Sequence, residues 1–300
     1  MFKNARLYKL GDPAAVDSDH MEGLLSQRRF RPCGPVEVAS LGWHPPMGGR
    51  TEALVHAANG CVLLCARRQE RLLPSSVVAE ALGERVAELE DREARDVGRA
   101  ERRRLREEVL IDMLPRAFTR SRQIRAYLDT DSGWMVVDAA SEKGADELVG
   151  LLRETLGSLP VRPPQPQRSP TDLMTAWVTG GDAPEGLVLG DECELRDARD
   201  ERAVVRCRGQ DLGGEEISTH LRAGKQVVKL ALDWQERLSF LLQEDLSLKR
   251  LRFADELIED AAPDAEDEAA RFDAEFAIMS LEFRELLGRL DALFEMSRSD

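Results

Sequence analysis

A chain of 300 residues, 42% hydrophobic and 33% charged, has enough apolar material for one large or two medium cores. Its net charge of −14 argues against a protein that coats nucleic acid on all sides, but not against positive charge gathered on one surface. No apolar run approaches ~18 residues and the start lacks the apolar stretch of a signal peptide, so we expect no membrane span and a cytoplasmic location.

The N-terminal "FKNARLYKL" reads as a strand stopped at Gly11–Asp12–Pro13, and "DSDHMEGLLSQRRF" as a short helix capped by Asp17 or Ser18. "LGWHPPMGGR" (Leu41–Arg50) reads as a stiff loop, because two prolines fix φ. "GCVLLCARRQERLLP" reads as a buried strand. Cys61 and Cys65 are four apart on it, too distant along an extended chain to share a metal. All five cysteines therefore read as reduced thiols, and no cofactor is expected.

Ser75 or Ser76 is expected to cap a helical arm over 75–114, interrupted near Gly98, with a thin apolar stripe. Pro115 ends it. A hairpin is expected over Gln123–Ser141 and a helix over Glu142–Leu156. Five prolines between Ser158 and Thr171 mark a domain boundary.

Beyond it come a helix through Trp177, strands near Gly186–Leu189 and in "RAVVRCRGQ", and a helix in "GEEISTHLRAG". Three antiparallel strands follow in "KQVVKLALDWQERLSFLLQEDLSLKRLRF". "DAAPDAEDEAARFDAEF" opens a long acidic helix whose face of Phe272, Phe276, Met279, Phe283, Leu286, Leu290 and Phe294 reads as core, with a subunit interface as the alternative. The expected organisation is α+β: a body of 1–74 with 115–160, the arm 75–114, a linker 161–171 and a domain 172–300.

No nucleotide-binding, zinc-protease or nucleophile-elbow motif occurs, and the four histidines are dispersed. Asp129, Asp131 and Asp138 lie in the hairpin and offer a weak magnesium-nuclease alternative, although aspartates bracketing a turn also serve its backbone. Binding is the better reading.

Charge is unevenly distributed. From Arg92 to Arg125 there are eleven arginines against six acids, whereas Lys249 to the end holds seven basic residues against fifteen acidic. Upstream arginines have helical partners: Arg103 and Arg104 stand four residues before Glu107 and Glu108, and Glu88 and Asp91 four before Arg92 and Arg95. Arg116, Arg120, Arg122 and Arg125 have no acid nearby in sequence, which leaves distant carboxylates or phosphate as partners. Arg202, Arg206, Arg208 and Gln210 form a second basic cluster. Phe118, inside the first cluster, is open to three readings: core residue, plug for a partner subunit, or wedge against bases.

"GWHPPMG", "ANGCVLLCARRQERLLPSSVV", "LPRAF", "KLALDWQERLSF", "SLKRLRF" and "RFDAEF" resemble, in this order, the bacterial recombination-associated RdgC family over essentially the whole chain. The resemblance implies a nucleoid-associated homodimer, closed into a ring by two contacts around duplex DNA. Single strands would be held more weakly, and the RecA recombinase restrained by loss of the DNA its filament needs. It places Phe118 at a dimer contact that opens to admit DNA. It also implies a positive inner surface, for which the two basic clusters supply the candidates Arg116, Arg120, Arg122, Arg125, Arg206 and Arg208, with Gln210 beside them. Gln210 matches a Lys-Gln pair in which Gly209 here replaces the lysine. An acidic scaffold that binds a protein through the C-terminal helix is a third reading, but it leaves the arginines unexplained.

Overall fold

The structure, a computed structural model, describes residues 1–13, 17–261 and 267–296. In chain order its elements are β1 (Asn4–Leu10), α1 (Ser18–Ser26), β2 (Ala39–Trp43), β3 (Val55–Ala58), β4 (Cys61–Arg71), α2 (Ser75–Glu93), α3 (Arg99–Met113), β5 (Thr119–Asp129), β6 (Trp134–Val137) and α4 (Glu142–Leu156). Then follow β7 (Val161–Arg162), α5 (Pro170–Gly180), β8 (Leu187–Asp197), β9 (Val204–Arg208), α6 (Glu215–Arg222), β10 (Lys225–Trp234), β11 (Leu238–Gln243), β12 (Leu248–Phe253), α7 (Asp255–Ala261) and α8 (Glu268–Phe294). The fold is α+β, with antiparallel pairing throughout the strand ladders. Residues 262–266, part of the stretch expected to open the acidic C-terminal helix, lie outside the described residues.

The chain divides into two compact units: Met1–Gln27, Pro45–Cys65 and Ile124–Asp300 form the first, Arg28–His44 and Ala66–Gln123 the second. In the first, a sheet runs β6-β1-β12-β11-β10-β8-β9, and the hairpin expected over 123–141 is the β5–β6 pair. The aromatic face of α8 is core. Phe276, Met279, Phe283, Leu286, Leu290 and Phe294 are buried, with Phe283 ring centroids 6.0 Å from Phe253 and 6.2 Å from Tyr127. Each such side chain contributes about 1.5–3 kcal/mol on burial. Phe272, at the start of the face, is half-buried.

Local chemistry explains the helix ends. Asp17 accepts from the Asp19 and His20 amides to start α1, and Ser141 accepts from Gly144 to start α4, which Gly157 closes at φ 73°. The prolines of 158–171 belong to the first unit. The Pro160 carbonyl accepts from Gly11 at 2.6 Å, Val161 pairs with Leu10, and Gln167 donates to the Phe294 carbonyl at 3.1 Å.

In the second unit, β2 pairs with the Ala66–Glu70 part of β4, and residues 119–123 of β5 lie on the other side. Leu41–Trp43 is therefore strand, not the expected loop. Gly42 permits it: a Cβ there would stand 2.6 Å from the Phe30 Cα. The 75–114 region is two helices, as the Gly98 break suggested. Pro74, not Ser75, occupies the α2 N-cap, and Gly98 that of α3. Only Val78, Leu82 and Val86 of α2 and Val109 of α3 are buried. After α3 a single 3-10 turn, Leu114–Arg116, leads directly into β5.

Candidate nucleic-acid interface

The second unit holds Arg116, Phe118, Arg120 and Arg122, and the first holds Arg125, Arg206, Arg208 and Gln210. Arg71 anchors the turn before β5. Its guanidinium donates to the carbonyls of Leu114 at 2.7 Å, Ala117 at 3.3 Å and Gly34 at 3.0 Å. That clamp presents Arg116 in solvent, with no ion pair among the described residues, and Phe118 with 85% of its surface exposed. The core reading of Phe118 is thereby excluded. Exposed Val36, Val38 and Leu72 belong to the same unit; the Val38 carbonyl accepts from Arg71 and the Phe118 carbonyl from Leu72, so three apolar residues line neighbouring strand ends.

Arg120 has a partner that sequence proximity could not reveal: Glu70, across the ladder on β4, at 2.5 Å from Nη2. Hydrogen bonding from Arg120 holds the Glu70 carboxyl below its usual range, helped by the nearby charge of Arg122. Arg125 is half-buried beside the Met1 amino group and Asp138, lining a small hollow with Phe2 and Phe276. It belongs to the first unit, whereas Arg116, Arg120 and Arg122 belong to the second.

In the first unit Arg206 and Arg208 project from one face of β9. Arg206 Nε lies 2.7 Å from Glu194, and Arg208 Nε 3.3 Å from Glu192. Lys229 Nζ reaches Glu194 at 3.0 Å, and Arg250 Nη2 reaches Glu192 at 2.8 Å. Burial pushes the Glu194 carboxyl up, but hydrogen bonds from Arg206 and Lys229 outweigh it and hold the group below its ordinary value. A groove of about 370 Å³ on this face is edged by Arg250 and Arg252. Gln210 sits apart, in an open concavity with Val188, Gly190 and Leu212, its amide donating to the Asp191 carbonyl.

A concentration of charge without partners among the described residues lies where the sequence reading does not look, on α3. Arg99, Arg102, Arg103 and Arg106 recur at i, i+3, i+4 and i+7 of α3, hence on one face about 10 Å long. All four are exposed, none has a hydrogen bond or ion pair among the described residues, and together with Leu82 they line one hollow. The spacing was legible. The sequence pairs Arg103 and Arg104 with Glu107 and Glu108, but those pairs do not form among the described residues. Arginine preceding glutamate by four is the weaker order on a helix. The acids at this end serve the helix connection instead: Glu101 binds Arg95 through both oxygens at 2.7 and 2.8 Å.

The hairpin carboxylates are committed elsewhere. Asp129 is buried, receives Arg284 at 2.8 and 2.9 Å, and accepts the Asp131 and Ser132 amides. Asp138 accepts the amides of Lys3 and Asn4. Among the described residues no group of three histidine, cysteine or acidic side chains is arranged to hold a metal ion, and no helix is long and apolar enough to cross a membrane.

A family model described as "Putative exonuclease, RdgC" matches residues 1–297. The chain is 44% identical over 292 residues to the recombination-associated protein RdgC of Tolumonas auensis, covering 97% of each. It is 44% identical over 288 residues to that of Serratia proteamaculans, covering 95% of each, and 43% identical over 291 residues to that of Salmonella newport, covering 96% of each. With its α+β fold, its arginine surfaces and these matches along nearly its whole length, the chain belongs to the RdgC family of recombination-associated proteins.

Proposed function

We propose that the protein is a non-catalytic DNA-binding factor of recombination that holds duplex DNA without sequence preference, and single strands more weakly. The observation that carries this reading is the α3 stripe, four exposed arginines without partners among the described residues in a chain of net charge −14. Duplex DNA offers one charge per ~1.7 Å of axis, so such a stripe meets phosphates wherever it lands. Phosphate contacts position a protein but read no bases. Arg116 and the β9 arginines support the same reading.

The working form is a homodimer closed around DNA as a ring in the nucleoid, restraining RecA by occupying its substrate. Exposed Phe118, with Val38 and Leu72 beside it, is the apolar surface that favours a subunit contact. Light scattering is expected to return twice the 33.5 kDa chain mass. Titration of a labelled duplex with the protein is expected to show affinity falling steeply from low to physiological salt; flat affinity would count against phosphate contacts as the main term.

The family model's description favours a second reading, a nuclease. Its candidate carboxylates are those already bound to Arg284 and to backbone amides. Plasmid incubated with protein and magnesium separates the readings. Intact plasmid supports the clamp, and progressive shortening of a linearised plasmid supports the exonuclease.

A further inference from the structure

The β9 arginines are held in an unusual way for surface cations. Each of the two glutamates on β8 uses one carboxylate oxygen for the directly opposite arginine: Glu194 for Arg206 and Glu192 for Arg208. In both pairs the arginine atom nearest the carboxylate is Nε, at the inner edge of the guanidinium. The second oxygen of each carboxylate is occupied from the other side, by Lys229 and Arg250 respectively. The carboxylates are 15% and 18% exposed, whereas Arg206 and Arg208 are 68% and 71% exposed. The acids therefore lie low against the sheet, and the arginines stand above them.

Arg206 is hydrogen-bonded through Nε at 2.7 Å and Arg208 ion-paired through Nε at 3.3 Å, which leaves the terminal nitrogens of both without a protein partner among the described residues; these form the fork that binds a phosphate bidentately. Residues two apart on a strand stand ~6.7 Å apart on the same face, so two forks are offered side by side. Bases and acids are nearly balanced on this face: Arg206, Arg208, Lys229, Arg250 and Arg252 stand with Glu192, Glu194, Asp191 and Asp233, and Arg252 has no ion pair among the described residues.

We infer that Glu192 and Glu194 are positioning residues for phosphate recognition: they pre-orient Arg206 and Arg208 as paired clamps for successive phosphates of a nucleic-acid backbone. The inference rests on the proposed DNA-binding reading and adds to it a role for the acidic side chains beneath the arginines. It has a counter-intuitive consequence. Removing two negative charges from a DNA-binding face should, by charge alone, tighten binding; removing two positioning groups should loosen it, because each arginine must then be ordered at the moment of contact.

The test uses the full chain and a random-sequence 30-base-pair duplex, titrated across a series of salt concentrations. The double variant Glu192→Ala/Glu194→Ala is expected to bind several-fold more weakly across the series, with a log–log salt slope close to native because both arginines still reach phosphate. Equal or tighter binding would overturn the inference. The single variants, each expected to show part of the same loss, keep the test available if the double variant does not fold. Arg206→Ala/Arg208→Ala separates the two levels of the argument. If that variant keeps the native slope, this face is not a DNA surface and the underlying reading fails here. If its slope falls while the glutamate variants bind as well as or better than the native chain, only the positioning role is lost.

Discussion

Arg284 on α8 grips both oxygens of Asp129, at 2.8 and 2.9 Å, and passes a further hydrogen bond to the Asn59 carbonyl. Asp129 is 1% exposed, so this guanidinium is its charge partner in the protein interior. Arg284→Ala leaves the carboxylate buried and uncompensated. Breaking such a pair costs about 3–5 kcal/mol, and the partial exposure of Arg284 argues for the lower end. Urea unfolding should show the midpoint reduced at an unchanged slope. DNA affinity per folded molecule should be unaffected.

Phe118→Ala should behave in the opposite way. With 85% of its surface in solvent the ring contributes little to the monomer fold, and the melting temperature should move by less than ~2 °C. If the ring closes a subunit contact, the variant should shift toward monomer in light scattering and lose affinity for circular DNA. A variant that melts normally and dimerises normally would remove Phe118 from the interface.

Arg102→Ala/Arg106→Ala tests the α3 stripe directly. Neither side chain has a protein partner among the described residues, so stability should change by no more than ~0.5 kcal/mol. The salt slope for duplex binding should become shallower by up to ~1.8, equally for sequences of different composition. Arg120→Ala offers a contrast. Its guanidinium is already paired with Glu70, so its loss should affect the slope less.

Asp138 carries a pH prediction. Burial raises its carboxyl above the usual value, and hydrogen bonds from Asn4 and Lys3 only partly oppose this. A carboxyl raised on folding binds its proton more tightly in the folded state. Its ionisation therefore works against stability above the folded pKa, and that penalty is relieved as pH falls towards the unfolded value. Asp138→Asn keeps an oxygen acceptor for both amides without the buried charge. It should equal or exceed the native protein in stability at neutral pH, and the advantage should vanish in mild acid. Urea midpoints measured at both pH values check this.

What was legible in the sequence followed from local chemistry. The Glu142–Leu156 helix could be bounded to the residue because Ser141 and Gly157 are caps whose effect acts within one turn. β10, β11 and β12 announced themselves by alternation. What was missed depends on partners distant in the chain. β2 exists because Trp43 lies opposite Ala66, and nothing in "LGWHPPMGGR" encodes that pairing. The two units divide within β4, where "CVLLC" gives way to "ARRQER", and within β5, where "TRSRQ" gives way to "IRAYLD", and the prolines of 158–171 lie within the first unit. At the candidate site the same limit applied. Arg120 is neutralised by Glu70, fifty residues earlier, whereas Arg99, Arg102, Arg103 and Arg106 have no ion pair among the described residues although acids lie close in sequence.

The cysteines permit a measurement that needs no engineering. Cys61, Cys65, Cys193 and Cys207 are buried, and burial pushes the Cys61 thiol up to about 11 and the Cys193 thiol to about 12. Buried thiols of this kind react slowly with alkylating reagents. Cys33 alone is half-buried, in the second unit, its sulfur 3.2 Å from the Gln69 carbonyl on the strand that also carries Glu70. A maleimide fluorophore should therefore label the native chain once, beside the β4–β5 ladder that bears Arg120. Its emission would report, in real time and on the unmodified sequence, whether DNA arrives at that edge of the molecule.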